Sequence, residues 1–137
     1  MSWQEYVDSR LIGTDKVARA GIYGLDGSPW AFSKNFTKVT SAEILALRNA
    51  FDDISNIAAN GIFLEGEKFL FVRNGVEPHL IYGRKGSDPL IAVKTNQAII
   101  IGVGDENRPP GPLNGVVEGL AEYLIGVGYV SVTRPPS

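Results

Sequence analysis

Five short apolar runs through the middle of the chain constrain the fold more than any other feature. They cover residues 62–64, 68–73, 79–84, 90–94 and 98–103. Between them stand turn formers: Glu65-Gly66, Asn74-Gly75, Gly86-Ser87-Asp88-Pro89 and Thr95-Asn96. Regular strand-sized runs punctuated in this way predict an antiparallel meander. A further hairpin is expected upstream. A strand over 17–25, rich in Ala18, Ala20, Gly21 and Gly24, meets the turn Asp26-Gly27-Ser28-Pro29, and a second strand follows over 30–33.

Helical patterns flank these strands. Ser2 is placed to cap a helix running to about Ile12, with Glu5 three residues on and Gly13 at its end. Val7, Leu11 and Ile12 form its buried stripe, and Trp3 and Tyr6 sit side by side on an adjoining face. Residues 41–51 carry Ile44, Leu45, Leu47 and Phe51 at helical rather than alternating spacing. After a polar, proline-rich loop over 105–111, Pro112 suits the first position of a last helix. Leu113, Val116, Val117, Leu120 and Leu124 give that helix a core stripe, and Gly126 and Gly128 fit its end. Residues 130–137 read as a ragged tail. The expectation is a single α+β domain over 1–137: a central antiparallel sheet, helices at both termini, and a short helix in the first half.

Composition removes several function classes. With 137 residues, 44% of them hydrophobic, the chain can bury a real core. A net charge of −2 argues against a general nucleic-acid coat, which needs a large basic excess. Without cysteine there is no disulfide and no thiolate chemistry. His79 is the one histidine, so a histidine-based zinc site would need other ligands. No phosphate-binding loop, dinucleotide fingerprint or nucleophile elbow is present. Neither a signal peptide nor a transmembrane run of about 18 apolar residues is seen. The reading is a cytoplasmic binding protein with no catalytic residues, no metal and no cofactor.

What the sequence does offer is aromatic residues near both ends. Trp3 and Tyr6 lie on the first helix, Trp30 on an early strand, Tyr123 on the last helix, and Tyr129 just beyond it. Two readings stand side by side. Amphipathic helices commonly bury such rings in the core. Alternatively, terminal helices packed together would let the five rings line one groove. Such a groove suits a polyproline II ligand, whose ridges pack between flat rings while its free carbonyls meet indole N–H and phenol groups.

Longer motifs carry a family resemblance. Ser2-Trp3-Gln4-Glu5-Tyr6-Val7-Asp8 with Leu11-Ile12-Gly13-Thr14, Gly24-Leu25-Asp26-Gly27 before Trp30, Ile81-Tyr82-Gly83-Arg84-Lys85-Gly86, and the stretch from Leu120 to Tyr129 together resemble profilin over nearly the whole chain. The resemblance implies a sheet with both terminal helices on one face and a short helix on the other. It implies a cytoplasmic, cytoskeletal protein that binds monomeric actin and proline-rich segments of actin regulators such as formins, and often phosphoinositides. By motif position the proline-rich ligand falls on Trp3, Tyr6, Ser9, Trp30, Tyr123 and Tyr129. Actin falls on Lys68, Phe71, Arg73, Arg84, Lys85, Gly111, Asn114, Gly115 and Gly119.

The residues themselves support part of this. Lys68, Arg73, Arg84, Lys85 and Lys94 are cations in a slightly acidic chain, and Arg84, Lys85 and Lys94 are the candidates for a phosphoinositide headgroup. Gly115 and Gly119 depart from the family pattern, which commonly has charged side chains there. They either admit a close neighbour or leave the actin face short of charge. Two other functions therefore stand beside the actin adapter: a proline-peptide module with weak actin affinity, and a phosphoinositide-linked membrane regulator.

Overall fold

The computed structural model describes residues 2–76 and 79–126. Seven strands form one antiparallel sheet: β1 (Arg19–Gly24), β2 (Pro29–Phe32), β3 (Ile62–Leu64), β4 (Glu67–Val76), β5 (His79–Lys85), β6 (Asp88–Lys94) and β7 (Ala98–Val103). Their order across the sheet is β2-β1-β7-β6-β5-β4-β3. The predicted meander is the β3-to-β7 portion. It closes onto the predicted hairpin by pairing β7 with β1, where Ile22 faces Ile100.

Helices cover both faces of the sheet. On one lie the N-terminal helix and α4 (Pro110–Gly126), and on the other lie α2 (Ser41–Asp52) and α3 (Ser55–Asn60). This two-sided cover explains the unbroken apolar run of β7. Ile100 enters the core under the terminal helices, while Ile99 and Ile101 enter the core under α2 and α3. On α4 the buried residues Leu113, Val117, Leu120, Ala121 and Leu124 make one stripe against β6 and β7. Gly102 lets the helix come close: a Cβ there would lie 2.6 Å from Val117 Cγ2.

The N-terminal helix is not the uniform α-helix expected. It is an α turn, α1 (Trp3–Glu5), then a π turn (Tyr6–Leu11), then a 3-10 turn (Ile12–Thr14). Ser2 Oγ accepts from the Glu5 N–H at 3.1 Å, so the predicted cap forms. The complete capping box lies elsewhere, between Thr40 and Glu43 at the start of α2. Gly13 permits the wide turn, since a Cβ there would sit 2.8 Å from the Asp8 carbonyl oxygen.

Other features differ from expectation: Asn74-Gly75, expected as a turn, lies inside β4, where Asn74 pairs with Ile81 and Gly75 with Leu80. The last helix starts at Pro110 rather than Pro112, so Gly111 belongs to its first turn. The loop before it is pinned by Arg108, which donates to Asp15 at 2.7 Å and to Asp105 at 2.9 Å. Helix α3 was not anticipated; its start is marked by Asp53, which accepts from the Ser55 N–H and hydroxyl. Among the described residues no helix is long and apolar enough to cross a membrane.

Candidate functional site

The aromatic residues come together as a continuous row. Trp30 lies 5.1 Å from Trp3, Trp3 lies 5.6 Å from Tyr6, and Tyr6 lies 6.4 Å from Tyr123, measured between ring centroids. All three pairs are tilted rather than stacked flat, so the row has ridges and notches. The core and cleft readings each describe part of it. Trp3 and Tyr6 are 5% and 3% exposed and pack within the core, whereas Tyr123 is 44% exposed and Trp30 is half-buried. Trp3 and Trp30 also line a cleft with Gln97, Leu124 and Ile125. Arg10, which sequence reasoning passed over, holds its guanidinium 5.2 Å from the centre of the Tyr123 ring. Ser9 is exposed on the same π turn. Tyr129 and the tail over 130–137 lie outside the described residues.

A second feature lies on the other flank of α4, where the helix leaves β4 and β5 uncovered. A hollow of about 260 Å³ is lined by Val72, Arg73, Tyr82, Arg84, Pro110 and Asn114. Arg73 places its guanidinium 4.0 Å over the Tyr82 ring, and Tyr82 donates its phenol to Glu118 at 3.1 Å. Burial foremost, then the bond to Glu118, raises the Tyr82 phenol above its ordinary value, so it remains a proton donor.

Strand register decides which sequence-predicted residues belong to this hollow. Leu70 pairs with Arg84 and Phe71 with Gly83, then a bulge at Val72 lets Arg73 pair with Tyr82. Phe71 therefore turns away and packs on the α2 side. The exposed apolar side chains are instead Leu70 (52%), Val72 (50%) and Phe63 (46%), with Lys68 opposite Phe63. The signal for them was present: Phe69-Leu70-Phe71-Val72 is four apolar residues running toward a sheet edge, where only one face is covered.

Alternation separates the adjacent cations as well. Arg84 faces the hollow, while Lys85 points to the opposite side and pairs with Glu67 at 3.4 Å, near Arg19. Lys94 sits at the far end of β6, opposite His79, five residues from the Pro89 that pairs with Arg84. That spacing is about 17 Å along a strand. The three phosphoinositide candidates thus do not converge.

Gly111, Gly115 and Gly119 lie exposed along α4, and a Cβ at any of them would meet nothing within 4 Å. Close approach of a neighbouring element does not explain them. Asn114 and Tyr123 are nine residues apart, about 14 Å along the helix and half a turn around it. The aromatic row and the hollow therefore flank α4 on opposite sides.

Comparison with known proteins decides the family. The profilin family model matches residues 1–129. The chain belongs to the profilin family. Profilin-2 of Acanthamoeba castellanii is 47% identical over 129 residues, covering 94% of this chain and all of that protein. The crystal structure of profilin II from the same organism superposes with a TM-score of 0.85 at 46% identity, covering 93% of this chain and 99% of that one. Mouse profilin IIa, solved in complex with a double repeat from the FH1 domain of mDia1, shares the fold at 22% identity and a TM-score of 0.75, over 93% and 99% of the two chains.

Proposed function

We propose that the protein is an actin-monomer-binding adapter that also holds proline-rich peptides, and so regulates filament assembly in the cytoplasm. Family membership supports both activities, and the observation that carries the reading is the placement of two unlike surfaces on opposite flanks of α4. The aromatic row takes the peptide. Its length matches about five residues of a polyproline II helix at ~3.1 Å each. Rigid rings and a pre-extended ligand both lose little conformational freedom on binding. A formin-type FH1 segment, as seen bound to the mouse relative, is the class of ligand expected.

The hollow and its rim take actin. Lys68, Arg73 and Arg84 interleave with Leu70, Val72 and Phe63, which gives an apolar patch ringed by positive charge. Asn114 and Pro110 complete it from α4, with Gly111 exposed beside them, whereas Lys85 lies on the other side of the sheet. Such a surface fits an acidic partner with apolar anchors of its own. Binding both partners at once raises the local concentration of actin at a filament end. No chemical step is involved. The open flank at Gly115 and Gly119 removes two positions for charge, so actin binding is expected to be weaker than in relatives that carry charged residues there. A phosphoinositide headgroup would have only Arg84 and its near neighbours to grip.

Peptide binding is tested most cleanly at Tyr123, whose exposure makes it the least costly ring to remove. Tyr123→Ala is expected to weaken binding of a decaproline peptide about tenfold, or about 1.4 kcal/mol, as truncating an aromatic anchor does. Tryptophan fluorescence reads the binding. Unchanged affinity in Tyr123→Ala and in Trp30→Ala would remove the groove from the account.

A further inference from the structure

The hollow beside α4 holds a chain of contacts that the two binding activities do not by themselves require. Arg73 follows the bulge in β4, where the backbone is least regular. Its side chain is exposed and forms no ion pair among the described residues. A long cation in that position would ordinarily sample many rotamers, and ordering it on binding would oppose association. Here the guanidinium carbon sits over Tyr82, 4.0 Å from the ring centre. The ring in turn is 8% exposed and packed in the core under α4. Its hydroxyl is tied to Glu118 on the third turn of α4. The Arg73 guanidinium thus rests on a platform fixed by both the sheet and the helix.

We infer that Tyr82 and Glu118 are positioning residues for Arg73, holding its guanidinium at the mouth of the hollow so that its N–H edge meets a carboxylate of actin. The inference rests on the actin reading of this face. Arginine is suited to the role because its planar group stacks on a ring with one face and still offers an in-plane fork of donors to a carboxylate. Glu118 contributes through Tyr82: it accepts a hydrogen bond from the phenol and keeps the ring from turning. Its own negative charge, close to the partner's acid, would otherwise count against binding. That opposition distinguishes a positioning role from a direct contact.

A double-mutant cycle on monomeric-actin affinity tests this, with decaproline binding on the other flank of α4 reporting that each variant is folded. Arg73→Ala is expected to weaken actin binding about tenfold. Tyr82→Leu should weaken it about three- to fivefold, and Tyr82→Phe, which keeps the ring but loses the bond to Glu118, about twofold. In the Arg73→Ala background, Tyr82→Leu should cost nothing further. A Tyr82 that merely props up the fold would weaken binding equally in both backgrounds, which overturns the inference. Weakening by Arg73→Ala with Tyr82→Leu at wild-type affinity also overturns it while leaving the actin reading intact. If Arg73→Ala binds actin as the wild type does, both the inference and that part of the actin reading fall together.

Discussion

Gly102 offers the sharpest test of how the sheet and α4 are joined. A methyl group at this position would lie 2.6 Å from Val117 Cγ2 and 3.3 Å from Leu113 Cδ1. Carbon atoms in contact prefer about 3.5–4.0 Å, so the nearer contact falls short by about 1 Å. Val117 cannot swing aside cheaply, because a β-branched side chain in a helix has one strongly favoured rotamer. Overpacking of this kind typically costs about 1–3 kcal/mol. Replacing a strand glycine by alanine returns part of that, about 0.5–1 kcal/mol, by restricting the unfolded chain. Gly102→Ala should therefore destabilise the protein by about 1–2 kcal/mol, read as a lower midpoint in urea with an unchanged slope. Val117→Ala removes the obstructing methyl groups, so the double variant should be less destabilised than the sum of the two singles by about 1 kcal/mol. Strict additivity, or Gly102→Ala as stable as the wild type, would refute the close approach. Because α4 carries Tyr123 on one flank and Asn114 on the other, the same substitution should weaken both proline-peptide and actin binding.

Other outcomes follow from single features. Gly115→Ala and Gly119→Ala add a methyl group to open space in a helix, so each should raise stability by about 0.5–1 kcal/mol in urea unfolding; a loss at either site would mean that something packs there. Asp26 and Asp53 are held below their usual value of 3.8, chiefly by the hydroxyls of Ser28 and Ser55. Each depressed carboxylate contributes stability that is present above the ordinary aspartate value and lost as pH falls through the lower folded one. The Asp26→Asn/Asp53→Asn variant should accordingly lose less stability than the wild type between pH 5 and 3, in order-of-magnitude terms a small difference for exposed groups. Arg108→Ala should loosen the 105–111 loop through loss of its two carboxylate partners, seen as faster amide exchange at Gly104 and Asn107 with peptide binding intact.

Much of this architecture was legible because local signals agreed with the global fold. The strand runs and the α4 stripe each obey one period and formed, whereas Asn74-Gly75, a turn signal by composition, was drawn into β4 by its pairing with β5. The misses share a physical cause: they depend on partners distant in sequence. The π turn over Tyr6–Leu11 has the same apolar spacing as an α-helix at this length. Helix α3 is six residues and lacks a strong periodic stripe. Alternation alone turns Leu70 and Val72 outward and Phe71 inward; what composition does not reveal is the bulge at Val72 that keeps Arg73 on the outward side beside Tyr82. Charge misled in a related way. Lys85 and Lys94 look like companions of Arg84 along the chain, yet alternation and strand length carry them elsewhere. The aromatic row was visible as a set, but its division into buried floor and exposed wall was not. That division needs the tertiary contact between Tyr6 and Tyr123.

The central claim is that one helix separates two surfaces that work together. Titrating fluorescently labelled monomeric actin with the protein, alone and with saturating decaproline peptide, tests it most directly. The account predicts a saturable actin complex whose Kd changes less than about twofold with peptide, and a ternary species of all three components, since independent sites have a coupling free energy near zero. Displacement of actin by the peptide, or peptide binding with no actin complex at any concentration, would contradict it.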